Sequence, residues 1–138
     1  PHILNVYQGK TNKLTIFGDD YRTIDGTCIR DFIHVSDLAE SHISAIDYIK
    51  NKSSVYEIFN IGTGEWNTVL QIVNKFNELS GNKIPYIFGD RRIGDIDFCF
   101  ANCSKANDLL KWKATKKLDD MVRDSINRVN YLNSINNS

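Results

Sequence analysis

The stretch Asp25-Gly26-Thr27-Cys28-Ile29-Arg30-Asp31-Phe32-Ile33-His34-Val35-Ser36-Asp37-Leu38-Ala39 decides how the chain folds. It opens on Asp-Gly, a pair that favours a turn because glycine takes backbone angles other residues avoid. Residues 29–35 then alternate in character, the period of a strand. Ser36 offers a side-chain oxygen to the free amides at the start of a helix. That helix runs to about Lys50, with Leu38, Ile43, Ala45, Ile46 and Ile49 as the stripe expected to face the core.

Upstream, residues 1–10 read as the end of a helix closed by Gly9, and residues 13–17 as a short strand ending at Gly18. A polar loop, 19–27, follows. Downstream, residues 55–61 are rich in β-branched and aromatic side chains and predict another strand. Gly62-Thr63-Gly64 turns it into a helix over 67–79, stopped by Gly81. Residues 84–88 give a strand that Pro85, lacking an amide to donate, places at an edge. A charged loop over 89–97 leads to a short helix over 104–111. The last helix starts near Leu118 and packs through Leu118, Met121, Val122, Ile126 and Val129. Its Asn- and Ser-rich end from Asn133 is expected to fray. Short strands alternating with helices make an α/β chain with too few strands for a complete doubly wound sheet. Neither an internal repeat nor a dividing linker is present.

The composition excludes several function classes. Lys plus Arg equals Asp plus Glu at 17 each, so the formal net charge is zero. A general nucleic-acid binder would carry a basic excess. No apolar run reaches the ~20 residues that span a bilayer. The three cysteines, Cys28, Cys99 and Cys103, contain no CxxC pair, in keeping with a reduced, cytoplasmic chain. Cys99 and Cys103 have no nearby His or second cysteine pair to complete a zinc site.

Three polar clusters remain. Arg30 and Asp31 stand at the mouth of an otherwise apolar strand. Arg91-Arg92-Ile93-Gly94-Asp95 can bring a guanidinium and a carboxylate onto one ligand, and Arg matches phosphate geometry with its planar fork. Lys13-Leu14-Thr15-Ile16-Phe17-Gly18 is a strand whose backbone and Phe17 ring could meet a planar base. Each cluster alone reads as ordinary surface charge or an ordinary strand. His34, between Ile33 and Val35, reads as a structural histidine. No Ser-His-Asp set or HExxH occurs, and Tyr48, with Lys50 and Lys52 after it, reads as part of a surface helix, so the chain is expected to carry no proton-transfer apparatus. A G-x-G-x-x-G turn for a dinucleotide is also missing. The turn Asn60-Ile61-Gly62-Thr63-Gly64 reads as a tight strand-to-helix turn, with a phosphate cradle as the minority reading.

Taken in order, the blocks Leu14–Gly18, Asp25–Ala39, Phe59–Gly64, Arg91–Asp95 and Leu110–Ala114 resemble the C-terminal portion of the UDP-glucose (UDP-galactose) 4-epimerases, extended short-chain dehydrogenase/reductases. The resemblance covers nearly the whole chain, and the long block from Asp25 carries most of its specificity. It implies that Thr15, Ile16 and Phe17 line the uridine. It further implies that Arg30 and Arg92 hold the UDP diphosphate, that Asp95 meets the ribose and that Cys99 bounds the hexose pocket near its C2 substituent. A Tyr at that last position excludes N-acetylhexosamines in the family, whereas a Cys leaves room for UDP-GlcNAc and UDP-GalNAc.

The resemblance makes residues 1–138 a UDP-sugar-binding C-terminal domain of an extended Rossmann-type reductase. The NAD-binding domain, the catalytic Tyr and Lys and an Asn-Asn-Leu-Met substrate segment are expected before Pro1. Family members use NAD to oxidise the sugar C4 hydroxyl and return the hydride to the other face. This piece alone is expected to be inactive and to expose the apolar face that packs on the NAD domain, and the parent enzyme is expected to form a homodimer through the missing half. A nucleotide-sugar dehydratase or uronate epimerase, and a non-catalytic nucleotide-sugar-binding module, stay open as alternatives.

Overall fold

The computed structural model describes residues 1–136. Along the chain come α1 (His2–Tyr7), β1 (Leu14–Phe17), β2 (Ile29–Arg30), α2 (Val35–Ile49), β3 (Asn67–Thr68), α3 (Val69–Ser80), β4 (Tyr86–Gly89), β5 (Phe98–Cys99), α4 (Ser104–Leu110) and α5 (Leu118–Asn136). Strand β1 buries Leu14 and Ile16 and turns Thr15 and Phe17 outward, the alternation of a half-buried strand. It pairs in parallel with β4, Leu14 opposite Tyr86 and Phe17 opposite Gly89. Its inward side chains meet Val73 and Phe76 of α3, Ile84, and Val122 and Ile126 of α5. Burial of a side chain such as Phe76 contributes roughly 1.5–3 kcal/mol. Helix α1 packs on the same core through Ile3, Leu4, Val6 and Tyr7. Of the face expected for α5, Leu118, Val122 and Ile126 pack on this core and Val129 is buried, while Met121 is half-buried.

The second sheet is small and has β2 at its centre, antiparallel to β3 and parallel to β5. A hydrogen-bonded knot ties the loop before β2 to the start of α3. Asp25 accepts from the Thr27 amide at 2.9 Å and hydroxyl at 2.7 Å, and with its other oxygen from the Thr68 hydroxyl at 2.5 Å. Thr68 also caps α3: its hydroxyl accepts from the Gln71 amide at 3.1 Å while the Gln71 side chain accepts from the Thr68 amide at 2.8 Å.

Several expectations need correction. The strand over 29–35 is paired only at Ile29–Arg30, since β3 and β5 are just as short. Helix α2 begins at Val35, and its cap is His34 rather than Ser36: His34 Nδ1 accepts from the Ser36 amide at 3.1 Å. Most of the α2 stripe faces outward, with Ile43 and Ile46 60% and 61% exposed, while Ala45 packs on the cluster of Ala106, Leu110 and Trp112. The inward face of α2 is set by Asp37, whose buried carboxylate accepts from the Thr115 amide and hydroxyl, both at 3.1 Å, and the Lys116 amide at 2.9 Å. A buried charge must be satisfied, so it fixes the rotation of the helix.

Residues 55–61 form no ladder among the described residues. Their alternation persists, with Phe59 and Ile61 packed on the cluster of Ala106, Leu110 and Trp112 while Tyr56 and Ile58 are exposed. Residues 67–68 belong to β3, so α3 starts at Val69. The C-terminal Asn- and Ser-rich segment continues α5 to Asn136, and the remainder of it lies outside the described residues.

Gly26 shows how tightly the loop before β2 is drawn. Its φ is +77°, and a Cβ there would lie 2.0 Å from the Asp19 carbonyl oxygen, a backbone atom that cannot swing away. Gly26→Ala is therefore expected to cost more than about 1 kcal/mol, read as a lowered midpoint in urea unfolding at an unchanged slope.

Candidate functional site

The end of β1, the centre of β2 and the loop from β4 to β5 converge. Arg30 on β2 is anchored by NH1, which donates to the carbonyls of Ile29 at 2.7 Å and Ile96 at 2.9 Å. Its NH2 donates to Asp95 Oδ1 at 3.3 Å. Arg92 donates through Nε to Asp95 Oδ2 at 3.2 Å, and its guanidinium carbon lies 4.8 Å from the centre of the Phe17 ring. One carboxylate thus holds two arginines, one on each oxygen. Arg30 and Asp95 are mostly covered, at 24% and 23% side-chain exposure, whereas Arg92 is open at 62%.

Cys99 pairs with Arg30 in the β2–β5 register and is exposed. Thr15 shares the outward face of β1 with Phe17. Ile16 turns its side chain into the core, which leaves only its backbone for a ligand. Phe17, Arg30, Arg92 and Asp95 are brought into contact, with Cys99 beside Arg30 on the ladder. Flanking Cys99, Phe98 and Phe100 line an open aromatic cleft of about 520 Å³ with Trp66 and Ile24. Cys28 and Cys103 are buried. Burial, and secondarily the charge of Asp31, pushes the Cys103 thiol up.

The adjacent arginines divide their work. Arg91 turns away from Arg92: its Nε donates to Asp20 Oδ1 at 2.6 Å, its NH2 to the Asp20 carbonyl at 2.5 Å, and NH1 lies 3.6 Å from Asp97. Its guanidinium carbon stands 4.0 Å from the centre of the buried Tyr21 ring. Cation–π stacking and ion pairing together staple the 90–97 loop to the loop after β1. Burial, and then the charge of Asp95, raises the Tyr21 phenol above its ordinary value. Sequence reasoning saw Arg91 only as a neighbour of Arg92; the acidic Asp19-Asp20 pair was the signal for its partner.

Asp31, singled out in the sequence only as a neighbour of Arg30, has partners that no sequence pattern showed. Its Oδ1 accepts from the Thr63 amide at 2.9 Å and hydroxyl at 2.5 Å, and its Oδ2 from the amides of Gly64 at 3.0 Å and Ala101 at 3.3 Å. A Cβ on Gly62 would lie 2.4 Å from Oδ2, so only glycine lets the turn close on this carboxylate. The amides of the glycine turn therefore point at the chain's own anion. A dinucleotide phosphate does not fit them, which favours the tight-turn reading over the cradle.

The family model described as GDP-mannose 4,6 dehydratase matches residues 1–125. The chain belongs to this family of nucleotide-sugar-modifying proteins, and it matches the C-terminal part of the UDP-glucose 4-epimerases. It is 45% identical over 125 residues to UDP-glucose 4-epimerase of Bacillus subtilis (strain 168), covering 91% of this chain and 37% of the relative. The crystal structure of UDP-glucose 4-epimerase from Bifidobacterium longum in complex with NAD+ and UDP aligns with a TM-score of 0.84 and 42% identity, over 91% of this chain and 37% of that one. UDP-glucuronic acid 4-epimerase from Bacillus cereus, in complex with UDP-glucuronic acid and NAD, aligns with a TM-score of 0.76 and 27% identity, over 93% of this chain and 39% of that one. The chain spans little more than a third of the length of these proteins. Among the described residues, no helix is long and apolar enough to cross a membrane.

The staple has a pH signature. The hydrogen bond from Arg91 holds the Asp20 carboxyl below its ordinary value. A depressed carboxyl contributes its stabilisation above the ordinary value and loses it as pH falls through the depressed one. The Arg91 Nε–H resonance is expected to stay in its bonded position from neutral pH down past ordinary aspartate titration and to move only in stronger acid. In Asp20→Asn that acid-dependent movement disappears.

Proposed function

We propose that this chain is the UDP-sugar-binding part of a UDP-hexose 4-epimerase that interconverts UDP-glucose and UDP-galactose. The observation that carries the reading is the convergence of Arg30 and Arg92 on one carboxylate beside the exposed ring of Phe17. Two guanidinium groups at one point form a receptor for a diphosphate, because each can donate paired, charge-assisted hydrogen bonds to phosphate oxygens. The outward face of β1, with Thr15 and Phe17, then receives the uracil, the Ile16 backbone lies along it, and Asp95 accepts from the ribose hydroxyls. The UDP held by the Bifidobacterium longum relative supports this assignment.

Residues 1–138 act in this reading as one substrate-binding domain. NAD belongs to the rest of the parent enzyme, which dimerises through that same part. The catalytic Tyr and Lys belong in this reading to the rest of the parent enzyme, so the chain alone binds without turning over. The outward apolar stripe of α2 and the unladdered residues 55–61 are the surfaces that the dinucleotide-binding part covers. A uronate epimerase is the second reading, favoured by the likeness to the Bacillus cereus UDP-glucuronic acid 4-epimerase. Supplying UDP-glucose and UDP-glucuronic acid to the full-length parent separates the two, since only the first reading yields UDP-galactose in preference to UDP-galacturonic acid.

Isothermal titration of the chain with UDP tests the binding reading. Micromolar or weaker affinity is expected for half a cleft, and Arg30→Ala and Arg92→Ala each weaken it about tenfold or more. Unchanged affinity in both variants, or submicromolar binding in the wild type, contradicts the reading.

Cys99 sets the size limit of the sugar. A small side chain beside Arg30 leaves space for an N-acetyl group, so the parent enzyme is expected to accept UDP-GalNAc as well as UDP-galactose. Cys99→Tyr in the full-length parent is expected to abolish turnover of UDP-GalNAc while retaining that of UDP-galactose. Wild-type inactivity on UDP-GalNAc refutes it.

A further inference from the structure

We infer that the aromatic cleft behind β2 is a binding site for a small planar anion of the aryl carboxylate class. The cleft lies on the face of the small sheet turned away from Arg30, and the inference does not rest on the diphosphate reading.

Successive residues of a strand point to opposite faces. Arg30 stands opposite Cys99 in the β2–β5 register, so Ile29, opposite Phe98, belongs to the other face. There Arg22, Ile24, Ile29, Trp66, Phe98 and Phe100 line the cleft of about 520 Å³. Ile29 is buried and forms its floor, whereas Ile24, Trp66, Phe98 and Phe100 are exposed. Contiguous exposed apolar surface marks a place where something binds. The volume falls in the roughly 300–1,000 Å³ range of small-molecule sites, and the three rings favour a flat partner that can stack on them.

The walls are fixed before any ligand arrives. Residues 63–64 are tied to Asp31 on one side of Trp66, and Thr68 to Asp25 on the other. Phe98 is held in the β5 ladder. Around Arg22, the Tyr21 amide donates to the Gly26 carbonyl at 2.9 Å and the Thr23 amide to the Tyr21 carbonyl at 2.8 Å. The Thr23 hydroxyl donates to the Thr27 carbonyl at 2.7 Å. A cleft whose walls need no ordering loses little entropy on binding.

Charge then selects the ligand. The described ion pairs nearby belong to Arg30, Arg91 and Arg92, and none includes the exposed Arg22. A cation without an anion beside an aromatic hollow fits a molecule with a flat apolar body and one carboxylate. The apolar hollow between α2 and residues 55–59, assigned above to the dinucleotide-binding part, differs in kind. Its one carboxylate, Glu57, is already paired with Lys105 at 2.6 Å. That hollow is complete once packed over, whereas the cleft behind β2 still presents an unpaired cation.

The test titrates 2-naphthoate and its neutral isostere 2-naphthamide into the chain and follows the indole N–H resonances of the two tryptophans by NMR. Trp66 lines the cleft and Trp112 is buried outside it, so one reports the site and the other is the control. Trp66 is expected to move and Trp112 to stay. Naphthoate is expected to bind about two- to fivefold tighter than the amide, the scale of one exposed ion pair. Arg22→Gln removes that difference and leaves binding of the amide unchanged, with the Trp112 resonance showing that the variant is folded. An unmoved Trp66, equal binding of the two probes to the wild type, or a preference that survives Arg22→Gln overturns the inference. So does loss of binding in the full-length parent, which would mean that the rest of that protein fills the cleft.

Discussion

The carboxylate of Asp31 is the contact on which the site's geometry depends. It lies one residue beyond the short strand β2 and collects donors from the glycine turn and from Ala101, just past β5. A strand of two residues has almost no ladder of its own to hold it. The shared anion supplies what the ladder lacks, because two other backbone segments close on it. With that junction fixed, Arg30 stands opposite Cys99 and within reach of the loop that carries Asp95.

The same device recurs. Asp25 draws a loop to the start of α3, Asp37 docks α2 on residues 115–116, and Asp20 receives Arg91. Each acid satisfies backbone, hydroxyl or guanidinium donors from another part of the chain. A chain of zero formal net charge thus spends several carboxylates on internal positioning. His34 follows this pattern. Its Nδ1 accepts from the Ser36 amide, so the ring proton sits on Nε2 and points at Asp124, 3.1 Å away. An imidazole with both nitrogens engaged in this way holds α2 to α5 and has no free nitrogen with which to act as a base.

The sequence was readable where a local period announces a buried face. The alternation of β1, the capped amphipathic α3 and the apolar rows of α5 are features of this kind, and all pack as their patterns imply. The meeting of Arg30 and Arg92 at Asp95 was foreshadowed by the distinctive block from Asp25 and the short Arg-Arg-Ile-Gly-Asp loop. The partners of Asp31 and Asp37 were not, since they lie 32 and 78 residues further on and no pattern links them. The α2 stripe misled because apolar periodicity gives a face but not its neighbour. Strands β3 and β5 are too short to show any period. Residues 55–61 kept a strand's alternation while lacking a strand's partner.

The two sheets share no strand. Phe17 rides on the frame built from β1, α3 and α5, whereas Arg30 rides on the frame built around β2. The loop over 90–97 joins them, with Arg91 and Arg92 near one end and Asp95 near the other. The ladders of the smaller sheet are only two residues long, so its amides are expected to exchange with solvent sooner than those of the core. A molecule that touches Phe17 and Arg30 together would cross-link the frames and slow exchange in both. Occupancy would thus be legible in protection factors far from any atom the ligand touches.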